Sequence, residues 1–376
     1  MDQISGDRPT LAEINRTALR ENYAALKALI GEPEVMAVIK ADAYGHGAVE
    51  VARVLRSEGC RHLGVATVQE ASVLRAAGID GKIYLMAGFV ESQTADIIDL
   101  QLTPFVFDQS AISGLEQAAR ARGCIGYPVH LKLDTGATRL GVCFDQLDAA
   151  IAQLRRCSGL RLEGVCTLLA DAGNPESSAT SDQLEVFRRA IAKLERAGLC
   201  PEMVHAANSA AAVLRPDSHF NLVRIGLALY GLAPTPTVQA RVSLQPVMTF
   251  KTRLLQLKSV PAGTGVSYGR TFVTSRPSVI GVLPVGYADG YRRGLQQGAE
   301  VLIGGRRAPV IGAICMDLTM IDLTDVPNAT AGDEVILWGG SKEDMISVNE
   351  IARLAQTISY EMLCTVGKRV PRVYVG

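Results

Sequence analysis

The residue with the clearest chemical potential in this sequence is Lys40, which stands at the end of an apolar run. The run Val35–Ile39 predicts a buried strand, and the small residues after Lys40 predict a turn that leads into a helix from Ala48. A lysine at the mouth of a buried strand is partly desolvated, which favours its neutral amine. A neutral amine can form a Schiff base with an aldehyde cofactor. Taken alone, such a lysine more often extends to solvent, so its neighbours decide.

A second unusual lysine, Lys132, lies in the middle of a predicted strand with Leu131 and Leu133 on either side. An unpaired charge in such a place costs several kcal/mol unless the group becomes neutral (about 2–7 for a polar group, more for an ion). The ordinary solution is an ion pair with an acidic neighbour such as Asp134. The sequence alone leaves open which solution applies.

Polar residues also follow two later predicted strands. Ser209 opens a predicted helix after the segment from His205, and its hydroxyl and the nearby backbone N–H groups are suited to binding an anion. Gly226 follows Arg224 and allows the backbone to approach a ligand closely. A serine at a helix start is often only an N-cap, so the position in the fold matters.

The elements that must position these residues alternate regularly between strand and helix. Helical patterns fill most of the gaps between eight strand-like runs, namely 35–40, 62–67, 82–87, 102–107, 129–134, 162–169, 203–207 and 223–229. This α/β alternation predicts a (β/α)8 TIM barrel, in which functional groups collect at the carboxyl ends of the strands. An open doubly wound sheet is the alternative, but no G-x-G-x-x-G follows the first strand.

The rest of the chain predicts a second domain. A proline-rich linker at 232–237 precedes strand-like segments with glycine turns, and a capping box from Ser347 to Glu350 predicts a late helix that runs to about Ile358. We therefore expect an N-terminal arm at 1–12, the barrel at 13–235 and a mostly β C-terminal domain at 236–376.

Composition excludes several classes of protein. The 376 residues include 38 basic and 38 acidic side chains, so nothing indicates nucleic acid or an anionic membrane as a partner. The segment Met1–Pro9 lacks the apolar core of a signal peptide, and no run is long enough for a membrane span. The eight cysteines show no zinc-like spacing. We expect a cytoplasmic protein with free thiols and no metal site.

Six separated motifs resemble those of the alanine racemases, a family of pyridoxal-phosphate enzymes, and they occur in the same order along nearly the whole chain. The first is the Lys40 segment. The others are 129–141 (VHLKLDTGATRLG), 205–210 (HAANSA) with 223–226 (VRIG), 266–269 (VSYG), 284–291 (PVGYADGY) and 315–317 (CMD). By this resemblance, the chain is identified as a member of that family.

The resemblance implies how the cofactor is held. Pyridoxal phosphate would form an aldimine with Lys40, Arg224 would face the pyridine nitrogen, and His205 would be a further cofactor-binding residue. The residues that would hold the phosphate are Tyr44, Ser209, Gly226, Leu227 and Tyr360. An arginine can only donate a hydrogen bond, so the pyridine nitrogen would stay unprotonated.

The resemblance also implies the substrate site and the assembly. Arg139 would bind the substrate carboxylate, and Lys132 would be carbamylated by CO2 and would orient Arg139. The substrate entrance and substrate side would be formed by Tyr287, Met316 and Asp317, and Tyr268 would be the second catalytic base. These second-domain residues would enter the active site of a partner subunit, so a homodimer with composite active sites is implied.

The function implied is the interconversion of L-alanine and D-alanine by two bases, Lys40 and Tyr268, which would supply D-alanine for peptidoglycan. Alternatives are a racemase of another small amino acid such as serine, a decarboxylase with the same domain layout, and a non-catalytic pyridoxal-phosphate carrier.

Two positions depart from the family pattern. Leu168 replaces the usual histidine that links the catalytic tyrosine to the pyridine-side arginine, and Leu318 replaces a frequent glutamine. We expect Leu168 to slow the L-alanine half-reaction or make it more alkaline.

Overall fold

The computed structural model describes residues 8–340 and 345–376. These residues form two compact units. The barrel unit comprises 19–43 and 48–245, and the β-rich unit comprises 8–18, 44–47 and the described residues from Pro246 onward. Residues 1–7 lie outside the described chain, so most of the Met1–Pro9 segment, on which the signal-peptide prediction was made, does too.

The barrel unit is built on eight parallel strands, as predicted. We number them β1 (Glu34–Val38), β2 (His62–Val65), β3 (Lys82–Leu85), β4 (Thr103–Val106), β5 (Tyr127–Asp134), β6 (Leu160–Cys166), β7 (Met203–His205) and β8 (Leu222–Ile225). Each pairs in parallel with the next through β7, and β8 pairs with β1. Backbone hydrogen bonds from Asn221 to Val204 (3.4 Å) and from Arg224 to Ala207 (3.0 Å) join β7 to β8 and close the ring.

Large side chains fill the interior of the barrel. A buried cluster with one residue from each of the five strands β1, β3, β4, β6 and β8 contains Met36, Tyr84, Phe105, Cys166 and Leu222. A barrel of eight strands is only wide enough to be filled by side chains in layers. The polar residues that remain inside therefore need hydrogen-bond partners of their own.

Helices cover the barrel strands where helical patterns were predicted, with two short additions at Thr94–Asp99 and Pro236–Gln239. The helices of this part of the chain are Arg16–Ile30, Ala48–Ser57, Val68–Ala76, Thr94–Asp99, Gln109–Ala121, Leu147–Leu154, Ala179–Arg196, Ser209–Leu214 and Pro236–Gln239. The last predicted strand run, 223–229, is shorter than expected. After β8 the backbone turns at Gly226 into a 3-10 helix, Leu227–Tyr230.

The β-rich unit contains a mostly antiparallel sheet. The strands of that sheet are Leu11–Asn15, Met248–Arg253, Gln256–Val260, Ser278–Leu283, Glu300–Ile303, Arg306–Ile311, Thr319–Asp322, Glu334–Gly340, Met345–Ile346 and Arg372–Val375. The strands Gly265–Val266 and Phe272–Val273 form a separate two-stranded sheet. The N-terminal strand Leu11–Asn15 belongs to this sheet, because it pairs with Met248–Arg253 on one side and Arg372–Val375 on the other.

The boundary between the units lies after Gln245, further along the chain than the predicted linker. Asn22, which is buried, donates to the Gln245 carbonyl at 2.8 Å and accepts from the Gln245 N–H at 2.8 Å. These two hydrogen bonds hold residues up to Gln245 against the first barrel helix. The segment predicted as linker instead begins the helix Pro236–Gln239, capped by the Thr235 hydroxyl.

The capping box predicted at Ser347 is not formed, and the helix is shorter than predicted. The helix Val348–Leu354 has Ser347 as its N-cap, but the serine hydroxyl accepts from Asn349 N–H. Glu350 is bonded instead to Arg307 at 2.6 Å. A second helix, Ser359–Cys364, follows. No helix in the described chain is both long and apolar enough to cross a membrane.

Candidate active site

Lys40 lies at the start of a left-handed turn directly after β1. Ala41, Asp42, Ala43 and Tyr44 all have φ between 52° and 54°. Four consecutive non-glycine residues in this conformation are unusual, since each costs roughly 1–2 kcal/mol relative to a right-handed turn. Such strain persists only where the surroundings hold it.

Glu70 is the main residue that holds this turn. Its Oε1 accepts from Ala41 N–H at 2.7 Å, while its Oε2 accepts from Ala66 N–H at 2.7 Å. Asp42 also contributes, because its carboxylate accepts from Ala48 N–H at 2.7 Å and so caps the next helix. In the sequence Glu70 is typical of an ordinary capping-box glutamate three residues after Thr67, so its role in this turn was not predicted.

Lys132 is buried on β5 among other cations. Burial lowers the pKa of Lys132, and the positive charges of Arg224, Arg139 and Lys40 lower it further. The predicted ion pair with Asp134 is not formed, and in the described chain no carboxylate is ion-paired with Lys132. The alternative solution, a neutral amine, is therefore favoured at this position.

The Asp134 carboxylate is used to build the loop that carries Arg139. Its Oδ1 accepts from the N–H groups of Gly136, Ala137 and Thr138, each at 3.0 Å, and its Oδ2 accepts from Arg139 N–H at 3.2 Å. Burial alone would raise the pKa of Asp134, but these four donors outweigh it and the net direction is downward. Arg139 itself is exposed, and its guanidinium is ion-paired with no carboxylate of the described chain.

Arg224 is buried on β8 and is held entirely by uncharged acceptors. Nη1 donates to His205 Nδ1 at 2.8 Å and to the His205 carbonyl at 3.1 Å. Nη2 donates to the Thr167 carbonyl at 2.7 Å and to the Ala206 carbonyl at 2.9 Å. These four bonds use the four terminal N–H groups, so the Nε–H is the donor that remains available within the described structure.

Ser209 and Gly226 are brought together at the ends of β7 and β8. Gly226 N–H donates to the Ser209 hydroxyl at 3.0 Å, which leaves the serine O–H as a donor, and Leu227 follows with its side chain buried. The N–H groups of Ala210 and Ala211 are bonded to the Asn208 side chain, which caps this short helix. An anion at Ser209 would therefore use the hydroxyl rather than those two N–H groups.

The remaining predicted site residues belong to the β-rich unit. Tyr44 and Tyr360 lie together, with ring centroids 5.9 Å apart, and burial raises the pKa of both phenols. Tyr268, Tyr287, Met316 and Asp317 line a single open groove of about 670 Å³, together with Arg293, Leu318 and the segment 313–315. Tyr268 is 76 % exposed in the single chain.

Two residues that the sequence analysis did not single out shape this groove. Arg369 donates to Asp317 at 2.7 Å and, through Nε, to Asp289 at 2.7 Å. Asp289 has no exposed surface and also accepts from Gly286 N–H at 3.0 Å, one residue before Tyr287. The motif 284–291 contains Asp289, but the sequence did not indicate that its carboxylate joins Asp317 to Tyr287.

Neither departure from the family pattern offers a polar side chain. Leu168 is half-buried after β6, and only its carbonyl is used, as an acceptor for Gln183 Nε2 at 2.8 Å. Leu318 is 39 % exposed. In the described residues no group of three or more His, Cys, Asp or Glu side chains is arranged to hold a metal ion.

Two family models match the chain, and together they cover almost all of it. The model described as "Alanine racemase, N-terminal domain" matches residues 14–234, and "Alanine racemase, C-terminal domain" matches residues 247–374. The curated relatives include alanine racemases of Desulfovibrio desulfuricans (41 % identical over 99 % of this chain and 100 % of the relative) and of Symbiobacterium thermophilum (42 % identical over 99 % of each).

Solved structures agree with these matches. The crystal structure of alanine racemase from D-cycloserine-producing Streptomyces lavendulae is 37 % identical, covers 99 % of this chain and 98 % of its own, and superposes with a TM-score of 0.93. Alanine racemase from Streptomyces coelicolor is 37 % identical, covers 98 % of each chain and has a TM-score of 0.94. From both domain models and these full-length relatives, the chain belongs to the alanine racemase family.

Proposed function

We propose that this protein interconverts L-alanine and D-alanine with bound pyridoxal phosphate. The observation that carries the proposal is the unbalanced positive charge at the carboxyl ends of the barrel strands. Arg139 and Arg224, which stay protonated, have no carboxylate partner in the described chain, and their charges help to lower the pKa of Lys132. Since uncompensated buried cations are costly, such a site is complementary to anionic ligands, and an amino acid brings one carboxylate to it.

Two donors in the barrel unit fit the cofactor. The Arg224 Nε–H is left over by the four bonds that hold this guanidinium, and it suits a ring nitrogen that accepts. The Ser209 O–H is left over by its bond with Gly226 and suits a phosphate oxygen. By the family resemblance, Gly226, Leu227, Tyr44 and Tyr360 would also hold the phosphate. When bound, pyridoxal phosphate withdraws electrons from the substrate Cα and makes its proton acidic.

The proton at Cα is exchanged by two groups that act on opposite faces of the substrate. Lys40 acts on one face of the substrate and Tyr268 of a second copy of the chain acts on the other, since inversion requires removal on one side and return on the other. The exposure of Tyr268 within its open groove supports its use by a neighbouring subunit. Tyr287, Met316 and Asp317 line the same groove and would contact the substrate side of that neighbour's site.

Arg139 binds the substrate carboxylate, and the four bonds of Asp134 fix the loop that presents it. A positioned guanidinium binds a carboxylate through parallel hydrogen bonds.

The eight cysteines are all free in the structure, which supports a reducing compartment, the cytoplasm, as the place of action.

We expect the purified protein, given pyridoxal phosphate and a panel of L-amino acids, to form D-alanine faster than D-serine or any other D-product. Lys40→Ala should lose the visible absorbance band of the bound cofactor and the mass of the cofactor after borohydride reduction. Its activity should fall by at least about a hundredfold, as for the loss of an acid–base group. Lys258→Ala, which removes an exposed lysine, is the control. A wild-type protein that stays colourless would overturn the proposal.

We also infer that Lys132 is carbamylated. Its neutral amine attacks CO2, a C–N bond forms, and one proton leaves to solvent, so the side chain becomes anionic among three cations. The environment that lowers the pKa of Lys132 supplies the neutral amine. A crystal structure grown with bicarbonate should show density for three further atoms beyond Nζ. Density that ends at Nζ contradicts the inference.

Composite active sites can be tested by mixing two inactive variants. Lys40→Ala and Tyr268→Phe chains, unfolded and refolded together, form mixed dimers in which one site has both intact groups. With random pairing, about a quarter of wild-type activity should return. If each site takes Lys40 and Tyr268 from one chain, mixing restores nothing. Either variant refolded alone is the control.

Leu168→His should lower the pH optimum of the L-alanine to D-alanine direction. By the family resemblance, a histidine there links the catalytic tyrosine to the pyridine-side arginine, so the substitution adds a titratable, hydrogen-bonding group beside them. Leu168→Gln adds a polar group without a titration and should leave the optimum in place. An unchanged profile in Leu168→His would show that another group tunes Tyr268.

A further inference from the structure

A line of buried polar side chains continues from Arg224 into the barrel. His205 Nε2 lies 2.8 Å from His130 Nδ1. His130 Nε2 lies 3.5 Å from Glu163 Oε2, and because neither of these two buried atoms has a hydrogen-bond partner in the described structure, the carboxylate acts on the imidazole through its charge. We call His205, His130 and Glu163 the imidazole series. Both histidines have no exposed surface, and Glu163 is 3 % exposed. The series lies on β7, β5 and β6, which are neighbours in the ring.

The donor and acceptor roles along this line follow from one end. Arginine has only donors, so His205 Nδ1, 2.8 Å from Arg224 Nη1, must accept. A neutral His205 then carries its proton on Nε2 and donates to His130 Nδ1. By the same reasoning His130 carries its proton on Nε2, which points towards the Glu163 carboxylate. Every N–H in the series therefore points away from Arg224.

The surroundings of His130 hold its ring in this orientation. Phe105 is stacked on it with an interplanar angle of 3° and a centroid distance of 5.6 Å, and Tyr84 meets it edge-on at 5.0 Å. Gly164 lies opposite His130 on the neighbouring strand β6, and a Cβ at residue 164 would lie 2.5 Å from the imidazole. The ring can occupy this place only because residue 164 has no side chain.

The far end of the series is anchored by charge. Glu163 is bonded to Lys82 at 2.8 Å and contacts Arg161 at 3.1 Å, and both cations are partly exposed. Burial alone would raise the pKa of Glu163, but His130 and Lys82 lower it to about 2. Burial lowers the pKa of His130 and of His205, so both rings are neutral at physiological pH.

We propose that His130 and Glu163 are positioning residues that fix the tautomer of His205 and thereby the guanidinium of Arg224. If His205 carried its proton on Nδ1, two donors would face each other at 2.8 Å and Arg224 would have to turn. The Arg224 Nε–H would then no longer be held in one direction. This inference rests on the proposed function, because Arg224 matters to catalysis only where it faces the cofactor ring.

A matched pair of variants separates positioning from packing. His130→Leu removes the acceptor for His205, whereas His130→Asn keeps a short polar side chain whose oxygen can accept. His62→Asn is the control, since His62 is a buried barrel histidine that bonds the Tyr84 hydroxyl and lies outside the series. The chain has five histidines, so each ring can be assigned by substitution.

The first measurement uses cofactor-free protein labelled with nitrogen isotope in its histidines, and it reads the tautomer by NMR. We expect His205 to be protonated on Nε2 in the wild type, in His130→Asn and in His62→Asn, and to lose this preference in His130→Leu. A wild-type His205 protonated on Nδ1 would overturn the proposal, as would an unchanged tautomer in His130→Leu. The wild-type result requires no variant to fold.

The second measurement uses the protein loaded with pyridoxal phosphate. In His130→Leu we expect kcat for alanine to fall about ten- to a hundredfold, the range for losing a partner that orients a site residue. The pH dependence of the cofactor absorbance should change with it, while KM stays close to the wild-type value, and His130→Asn should restore both. Equal losses in His62→Asn would indicate packing and contradict the proposal. A wild-type protein that does not bind the cofactor would contradict only the proposed function, since the tautomer of His205 is measured in cofactor-free protein.

Discussion

The structure around the carboxyl ends of the barrel strands depends on one electrostatic constraint, which is that several cations share a partly buried space without carboxylates of their own. Arg224 meets it by bonding only to neutral carbonyls and one imidazole. Lys132 meets it by a lowered pKa. Asp134, the nearest acid in sequence, spends its oxygens on backbone N–H groups and so neutralises neither. The charge that remains is what an anionic ligand would balance.

The same end of the barrel also contains the strained backbone segment that follows Lys40. The left-handed turn after β1 has a conformational cost that the contacts of Glu70 and Asp42 offset, each through a charge-assisted bond of 2.7 Å. A regular right-handed turn would lead the chain away from β1 in a different direction. The strained turn therefore determines the position of Lys40, and strained backbone of this kind is typical of functional segments.

Much of the fold was predictable from the sequence, and the parts that were not share a cause. The eight barrel strands were predicted correctly, because a parallel barrel strand is buried on both faces and forms a nearly continuous apolar run. The N-terminal strand Leu11–Asn15 was predicted only as an arm, since its partners Met248–Arg253 and Arg372–Val375 are distant in sequence. For the same reason Glu70, Asp289 and Glu163 escaped notice as residues that shape a site. Their roles come from long-range hydrogen bonds, which periodicity does not encode.

The leucine at 168 changes what the rest of the site must do. The Thr167 carbonyl accepts from Arg224 at 2.7 Å, whereas the Leu168 side chain that follows cannot form a hydrogen bond. His205 is then the one side chain of the described structure that bonds Arg224. Because a single imidazole offers one acceptor only in one tautomer, the direction of the Arg224 Nε–H depends on what lies behind His205. With leucine at position 168, the direction of the Arg224 Nε–H therefore depends on His205 and, behind it, on His130 and Glu163.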